Sequence, residues 1–191
     1  MRALTIARSE LILGGPDSGK TARAESLAAA WLERSPGHRA VYIATAQAWD
    51  DEMRERIRQH RRRRAERVPR MATVEEPQEL ARAIGRNGRA DTLIVVDCLT
   101  LWLTARLMPA VPGDDSNGTS APADAIADAL RACAGPIVLI SNEIGADAVP
   151  PGQDARAFLE ALGGLNQQAA AACERVTLMS ARQALVLKGA S

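Results

Sequence analysis

The chain has 191 residues, of which 47% are hydrophobic, and 24 basic against 23 acidic side chains leave a formal charge of +1. That length suits a single α/β domain spanning 1–191 with a normal core, and the charge balance argues against a generally cationic nucleic-acid binder. Cys98, Cys133 and Cys173 lack C-x-x-C spacing and clustered histidines, which points away from a disulfide framework or zinc site, and no apolar run approaches the roughly 18 residues of a membrane span, so a cytoplasmic protein is expected.

The first strand is expected over Glu10 to Leu13. It runs directly into Gly14-Gly15-Pro16-Asp17-Ser18-Gly19-Lys20-Thr21, which fits the pattern G-x-x-x-x-G-K-[ST]. A helix over Lys20 to Glu33 follows. In that setting backbone N–H groups cradle polyphosphate oxygens, Lys20 reaches the outer phosphates and the Thr21 hydroxyl ligates Mg²⁺. Asp17 is an unusual occupant, because a carboxylate inside a phosphate cradle repels the ligand unless it points outward. His38 sits in the turn Ser35-Pro36-Gly37-His38 and reads as structural.

A second strand is expected over Ala40 to Thr45, with Thr45, Ala46 and Gln47 at its carboxyl end, where α/β ligands bind. The helix expected over Asp50 to Arg67 begins acidic and ends basic, the polarity its dipole favours. It holds eight arginines between Arg54 and Arg67. Helical spacing puts Arg56, His60, Arg63 and Arg64 on one side, beside an apolar stripe of Met53 and Ile57. An imidazole among guanidinium groups suits a triphosphate, and its neutral nitrogen can attack phosphorus or accept a proton. A solvated basic helix with an incidental His60, or contact with a nucleic-acid backbone, remains open from these residues alone.

A helix over Pro77 to Gly85 precedes the apolar strand Thr92 to Val96, which ends in Asp97. A carboxylate there can hold Mg²⁺ opposite Thr21. Helices are then expected over Leu99 to Leu107, Ala123 to Cys133 and Asp154 to Cys173, and strands over Pro136 to Ser141, Val176 to Ser180 and Leu185 to Leu187. Ser141, Asn142 and Glu143 would lie at a further strand end. Pro109 to Pro122, rich in Gly, Pro, Asp and Ser, reads as a flexible insertion. Strands without alternation suit a parallel sheet covered on both faces, so the expected fold is a P-loop NTPase-like, doubly wound, mostly parallel α/β sheet.

The ordered set closely resembles the bifunctional adenosylcobinamide kinase / adenosylcobinamide-phosphate guanylyltransferase family of cobalamin biosynthesis. Besides Gly14 to Thr21, the resemblance rests on Tyr42 to Gln47, on Asp50 to Met53 with Arg56, Ile57 and His60, and on Thr73 to Pro77. It continues through Val96 to Trp102, Ser141 to Gly145, Val149-Pro150, Arg156, Phe158, Gly163, Asn166-Gln167 and Leu187 to Gly189. Pro16 and Asp17 stand where the family usually has Ala and Arg.

The resemblance implies two reactions. Adenosylcobinamide is phosphorylated by ATP or GTP, and GMP then passes from GTP through a histidine, matched here by His60, to adenosylcobinamide phosphate. It also implies GTP contacts at Gly14, Gly15, Pro16, Asp17, Ser18, Gly19, Lys20 and Thr21, at Ala44, Thr45, Ala46 and Gln47, at Arg61, Arg62, Arg63 and Arg64, and at Glu75 and Asp97. Thr21 and Asp97 are the expected Mg²⁺ ligands, with Lys20 and His60 the catalytic pair. A homotrimer is implied as well, and the near-zero net charge and few aromatic residues lead us to expect no nucleic-acid partner. The readings held beside it are a P-loop small-molecule kinase that lacks guanylyl transfer and a nucleotide-switched binding module.

Overall fold

Strand β1 (Ser9–Gly14) is buried along its whole length. It lies inside a seven-stranded sheet of order β3-β2-β4-β5-β1-β6-β7, where the others are β2 (Arg39–Ala44), β3 (Met71–Glu75), β4 (Thr92–Asp97), β5 (Ile137–Asn142), β6 (Arg175–Ser180) and β7 (Gln183–Lys188). All pairs are parallel except β6 with the edge strand β7. The helices are α1 (Lys20–Arg34), α2 (Asp51–Arg67), α3 (Leu80–Asn87), α4 (Leu99–Leu107), α5 (Pro122–Ala132) and α6 (Gln153–Ala172). The computed structural model describes residues 4–48, 50–107, 122–144 and 153–190. Most of the expected insertion, 109–121, lies outside them, as do Gly145, Val149 and Pro150.

The missing alternation has a direct cause. Leu11, Leu13, Ile94, Val96, Ile137 and Leu139 face a core shared with α3, α4, α5 and α6, while Ile12, Leu93, Val95, Val138 and Ile140 face a second core against α1. Both faces of the central strands are therefore dry, and each fully buried aliphatic side chain contributes about 1.5–3 kcal/mol. Beneath the phosphate loop, buried Glu10 accepts from Arg23 (2.9 Å) and from Thr177 Oγ1 (2.7 Å), tying β1 to α1 and β6.

Two elements depart most from the sequence reading. Met71–Glu75 forms a strand that was not expected, because an edge strand needs apolar cover from few neighbours and this one is mostly exposed. Helix α3 starts at Leu80 rather than Pro77, since the Glu76 carboxylate accepts from Gln78 N (3.1 Å) and Glu79 N (2.9 Å) and turns the chain there.

Candidate active site

The loop after β1 is built by backbone geometry. Gly14 (φ 153°) and Gly19 (φ 101°) occupy conformations that L side chains rarely adopt, and a Cβ on Gly14 would stand 2.5 Å from the Met179 carbonyl. Asp17 is also left-handed, at φ 53°, and its side chain is exposed. Lys20 is only 8% exposed, and its Nζ donates to the Gly14 carbonyl (2.8 Å) and the Gly15 carbonyl (2.6 Å). Burial pulls its ammonium below the usual lysine value, against the opposing pull of Cys98, Asp97 and Asp17. Ser18 Oγ is buried in the same loop without a partner among the described residues. A buried cation, an orphaned hydroxyl and the amino end of α1 together fit the phosphates of a nucleotide.

Asp97 closes the other side. Its Oδ2 accepts from Thr21 Oγ1 at 3.0 Å and from the Tyr42 hydroxyl. Burial, then the neighbouring carboxylate, push the Tyr42 phenol well above its usual value, so it remains a donor. A hydroxyl and a carboxylate in contact, with no cluster of three His, Cys, Asp or Glu among the described residues, fit Mg²⁺ held mainly by substrate phosphates.

Thr45 braces this corner. Its N–H donates to the Asp97 carbonyl (3.0 Å), and its hydroxyl donates to the Cys98 carbonyl (2.7 Å) while accepting from Cys98 N (2.8 Å). Ala44 ends β2, and Ala46 and Gln47 continue half-buried beyond it.

Helix α2 is capped by Asp50, whose carboxylate accepts from Met53 N at 2.7 Å. Along it only Arg64 is fully buried. That guanidinium lies 3.8 Å from the centroid of the Tyr42 ring and donates to Thr73 Oγ1 at 3.1 Å. Arg64 therefore points inward, and the expected group of Arg56, His60, Arg63 and Arg64 is divided. Arg56, His60 and Arg63 are exposed, and His60 makes no hydrogen bond among the described residues. Arg61 pairs with Glu75 at the end of β3, and Arg62 with Glu66 at 3.3 Å.

The phosphate loop, Thr21 and Asp97 are thus brought together, while no hydrogen bond or ion pair among the described residues joins His60 to them. Sequence reading missed Tyr42 as the residue linking Asp97 to Arg64. His38 stacks on Trp31 with centroids 3.8 Å apart, consistent with a structural role. All three cysteines are free and buried.

The model of the cobinamide kinase / cobinamide phosphate guanyltransferase family matches residues 10–187. The chain belongs to that family. Membership makes it an enzyme of this kinase and guanyltransferase class. It is 42% identical over 180 residues to the bifunctional adenosylcobalamin biosynthesis protein CobP of Pseudomonas aeruginosa, covering 94% of this chain and 97% of that one. It is 32% identical to the protein CobU of Escherichia coli, also named bifunctional, over 88% of this chain and 93% of that one. Among solved structures it resembles the flagellar accessory protein FlaH of Methanocaldococcus jannaschii, with a TM-score of 0.53, 12% identity and coverage of 96% of this chain and 80% of that one. That likeness concerns the fold alone. No described helix is long and apolar enough to cross a membrane.

Proposed function

We propose that this protein phosphorylates the hydroxyl of adenosylcobinamide with ATP or GTP and then transfers GMP from GTP to the resulting phosphate, giving adenosyl-GDP-cobinamide and pyrophosphate. The observation that carries this reading is the contact of Thr21 with Asp97 beside buried Lys20, in a chain of this family. In the first reaction Lys20 and the loop N–H groups hold the polyphosphate and align the terminal phosphorus with the acceptor hydroxyl. Thr21 and Asp97 would hold Mg²⁺, which supplies charge relief on the transferred phosphoryl group.

In the second reaction a His60 nitrogen attacks the α-phosphorus of GTP. A P–N bond forms, the bond to pyrophosphate breaks, and an oxygen of adenosylcobinamide phosphate then displaces the histidine. Arg61, Arg62, Arg63 and Glu75 are the nearby groups proposed to meet the nucleotide. Exposed His60, on a helix with few contacts to its own body, supports a homotrimer in which a neighbouring subunit completes the site.

The test is incubation with GTP labelled in its α-phosphate, which should leave acid-labile, base-stable label on the wild type and none on His60→Ala. Label retained by the variant overturns His60 as nucleophile. Phosphorylated cobinamide without a GDP-linked product would leave the kinase half alone.

A further inference from the structure

A pocket of about 250 Å³ opens beside the phosphate loop on the face opposite α1. Leu13, Ile144, Leu159 and Leu162 give it apolar walls, and Asn142, Glu143, Asn166 and Gln167 supply its polar groups. The top of β5 places it. Asn142 lies opposite Gly14 in the sheet, Glu143 N donates to the Gly14 carbonyl at 3.1 Å, and β5 separates the loop strand from the strand that ends in Asp97. The pocket is therefore about one strand spacing, ~5 Å, from the loop that holds the phosphates.

Two features mark this pocket. Asn166 is 8% exposed, and its Nδ2 donates to the Asn142 carbonyl at 3.1 Å, which fixes the amide so that Oδ1 is the other end. Among the described residues that Oδ1 has no partner. A buried acceptor left unpaired asks for a donor from elsewhere.

The second feature is Gly163, which lines the pocket inside α6, where glycine weakens a helix. No packing within the chain requires it, because a Cβ built there meets nothing within 4 Å, as is also true of Gly164 and Gly85 outside the pocket. The side chain is missing where the pocket needs room.

We propose that this pocket seats a primary carboxamide arm of the corrinoid acceptor, its N–H donating to Asn166 Oδ1 and its methylenes lying against Leu159 and Leu162. This rests on the cobinamide reading above. Cobinamide carries several such arms on an apolar ring, and both proposed reactions use the same acceptor body. The only charged residue lining the pocket among those described is Glu143, so a phosphate is not its occupant. The N–H edge of a nucleotide base offers the same donor chemistry, and kinetics distinguish the two sources.

Gly163→Ala and Gly163→Leu supply the test. The alanine variant is expected to melt about 2–4 °C higher, since it gains helix propensity in open space. Its KM for cobinamide should nevertheless rise several-fold, and that of the leucine variant by about tenfold or more, with kcat at saturating acceptor and the KM for nucleotide unchanged. The wild type should also discriminate against an acceptor whose arms are methyl esters, and Gly163→Leu should lose that discrimination.

Folded variants with an unchanged cobinamide KM, or with a raised nucleotide KM instead, overturn the pocket assignment while the cobinamide reading stands. A wild type that does not phosphorylate cobinamide overturns both.

Discussion

The Tyr42 hydroxyl and the Thr21 hydroxyl donate to the same oxygen of Asp97, so the carboxylate at the end of β4 is held from β2 and α1 at once. Because the Tyr42 ring also carries the Arg64 guanidinium, the corner that would face Mg²⁺ is joined physically to the helix that bears His60. Tyr42→Phe keeps the ring and the stacking but removes one donor. It should lower stability by about 1.5–3 kcal/mol, the range for a hydrogen bond to a charged group, and raise the Mg²⁺ concentration for half-maximal kinase activity. Urea unfolding and a Mg²⁺ titration measure the two effects.

Arginines that look equivalent in the sequence should separate on substitution. Arg64→Ala removes a buried cation, its ring contact and its bond to Thr73, and should cost about 2–4 kcal/mol. Arg62→Ala, at a side chain 85% exposed and paired only with Glu66, should stay within about 0.5 kcal/mol. Thermal unfolding of the two variants beside wild type decides this.

Asp17 contributes a negative charge to the surroundings of Lys20 and holds a left-handed backbone. Asp17→Gly relieves the backbone and removes the charge together. It should raise stability by at most about 1 kcal/mol and tighten triphosphate binding by about three- to tenfold at low salt, with a smaller gain at high salt. Equilibrium binding of a fluorescent GTP analogue at two ionic strengths reads this out. Unchanged affinity would show that the carboxylate lies clear of the ligand.

Stability should fall as the solution becomes alkaline. Burial pushes the thiols of Cys98 and Cys173 up to about 12 from an ordinary value of 9.0, and Cys133 also upward. Raised folded-state values mean that the unfolded chain loses these protons first, so the stabilisation is complete below pH 9 and is lost as pH rises toward 12. Lys20, shifted downward, has the opposite sign over its own range below 10.5 and offsets part of the loss. Cys173→Ala should flatten the decline in melting temperature above pH 9. The three thiols of the folded wild type should resist alkylation at pH 8.

The phosphate loop was legible because its chemistry lies in eight consecutive residues between a strand and a helix. Asp97 was legible for a related reason, since an apolar strand that ends in a carboxylate delivers it to the ligand edge of the sheet. Tyr42 was hidden. Its partners Asp97 and Arg64 lie far apart in sequence, and only the pairing of β2 with β4 and the docking of α2 bring them together. The inward turn of Arg64 escaped for another reason: helical spacing gives relative directions around α2 but not which direction meets the body. Gly163 entered the sequence reading only among the residues of the resemblance, and the open space beside it shows only in the structure.

Helix α2 is fastened near its carboxyl end, by Arg64 on Tyr42 and Thr73 and by Arg67 on Glu25 at 2.9 Å. His60 is four residues before Arg64, about 6 Å along the axis, and the first turn is about 20 Å away. Such an attachment works as a pivot with unequal arms. A given rocking of the helix would shift His60, the proposed nucleophile, modestly and the Asp50 cap several times further. Amide hydrogen exchange should record the same gradient, fastest toward Asp51 and slowest around Arg64.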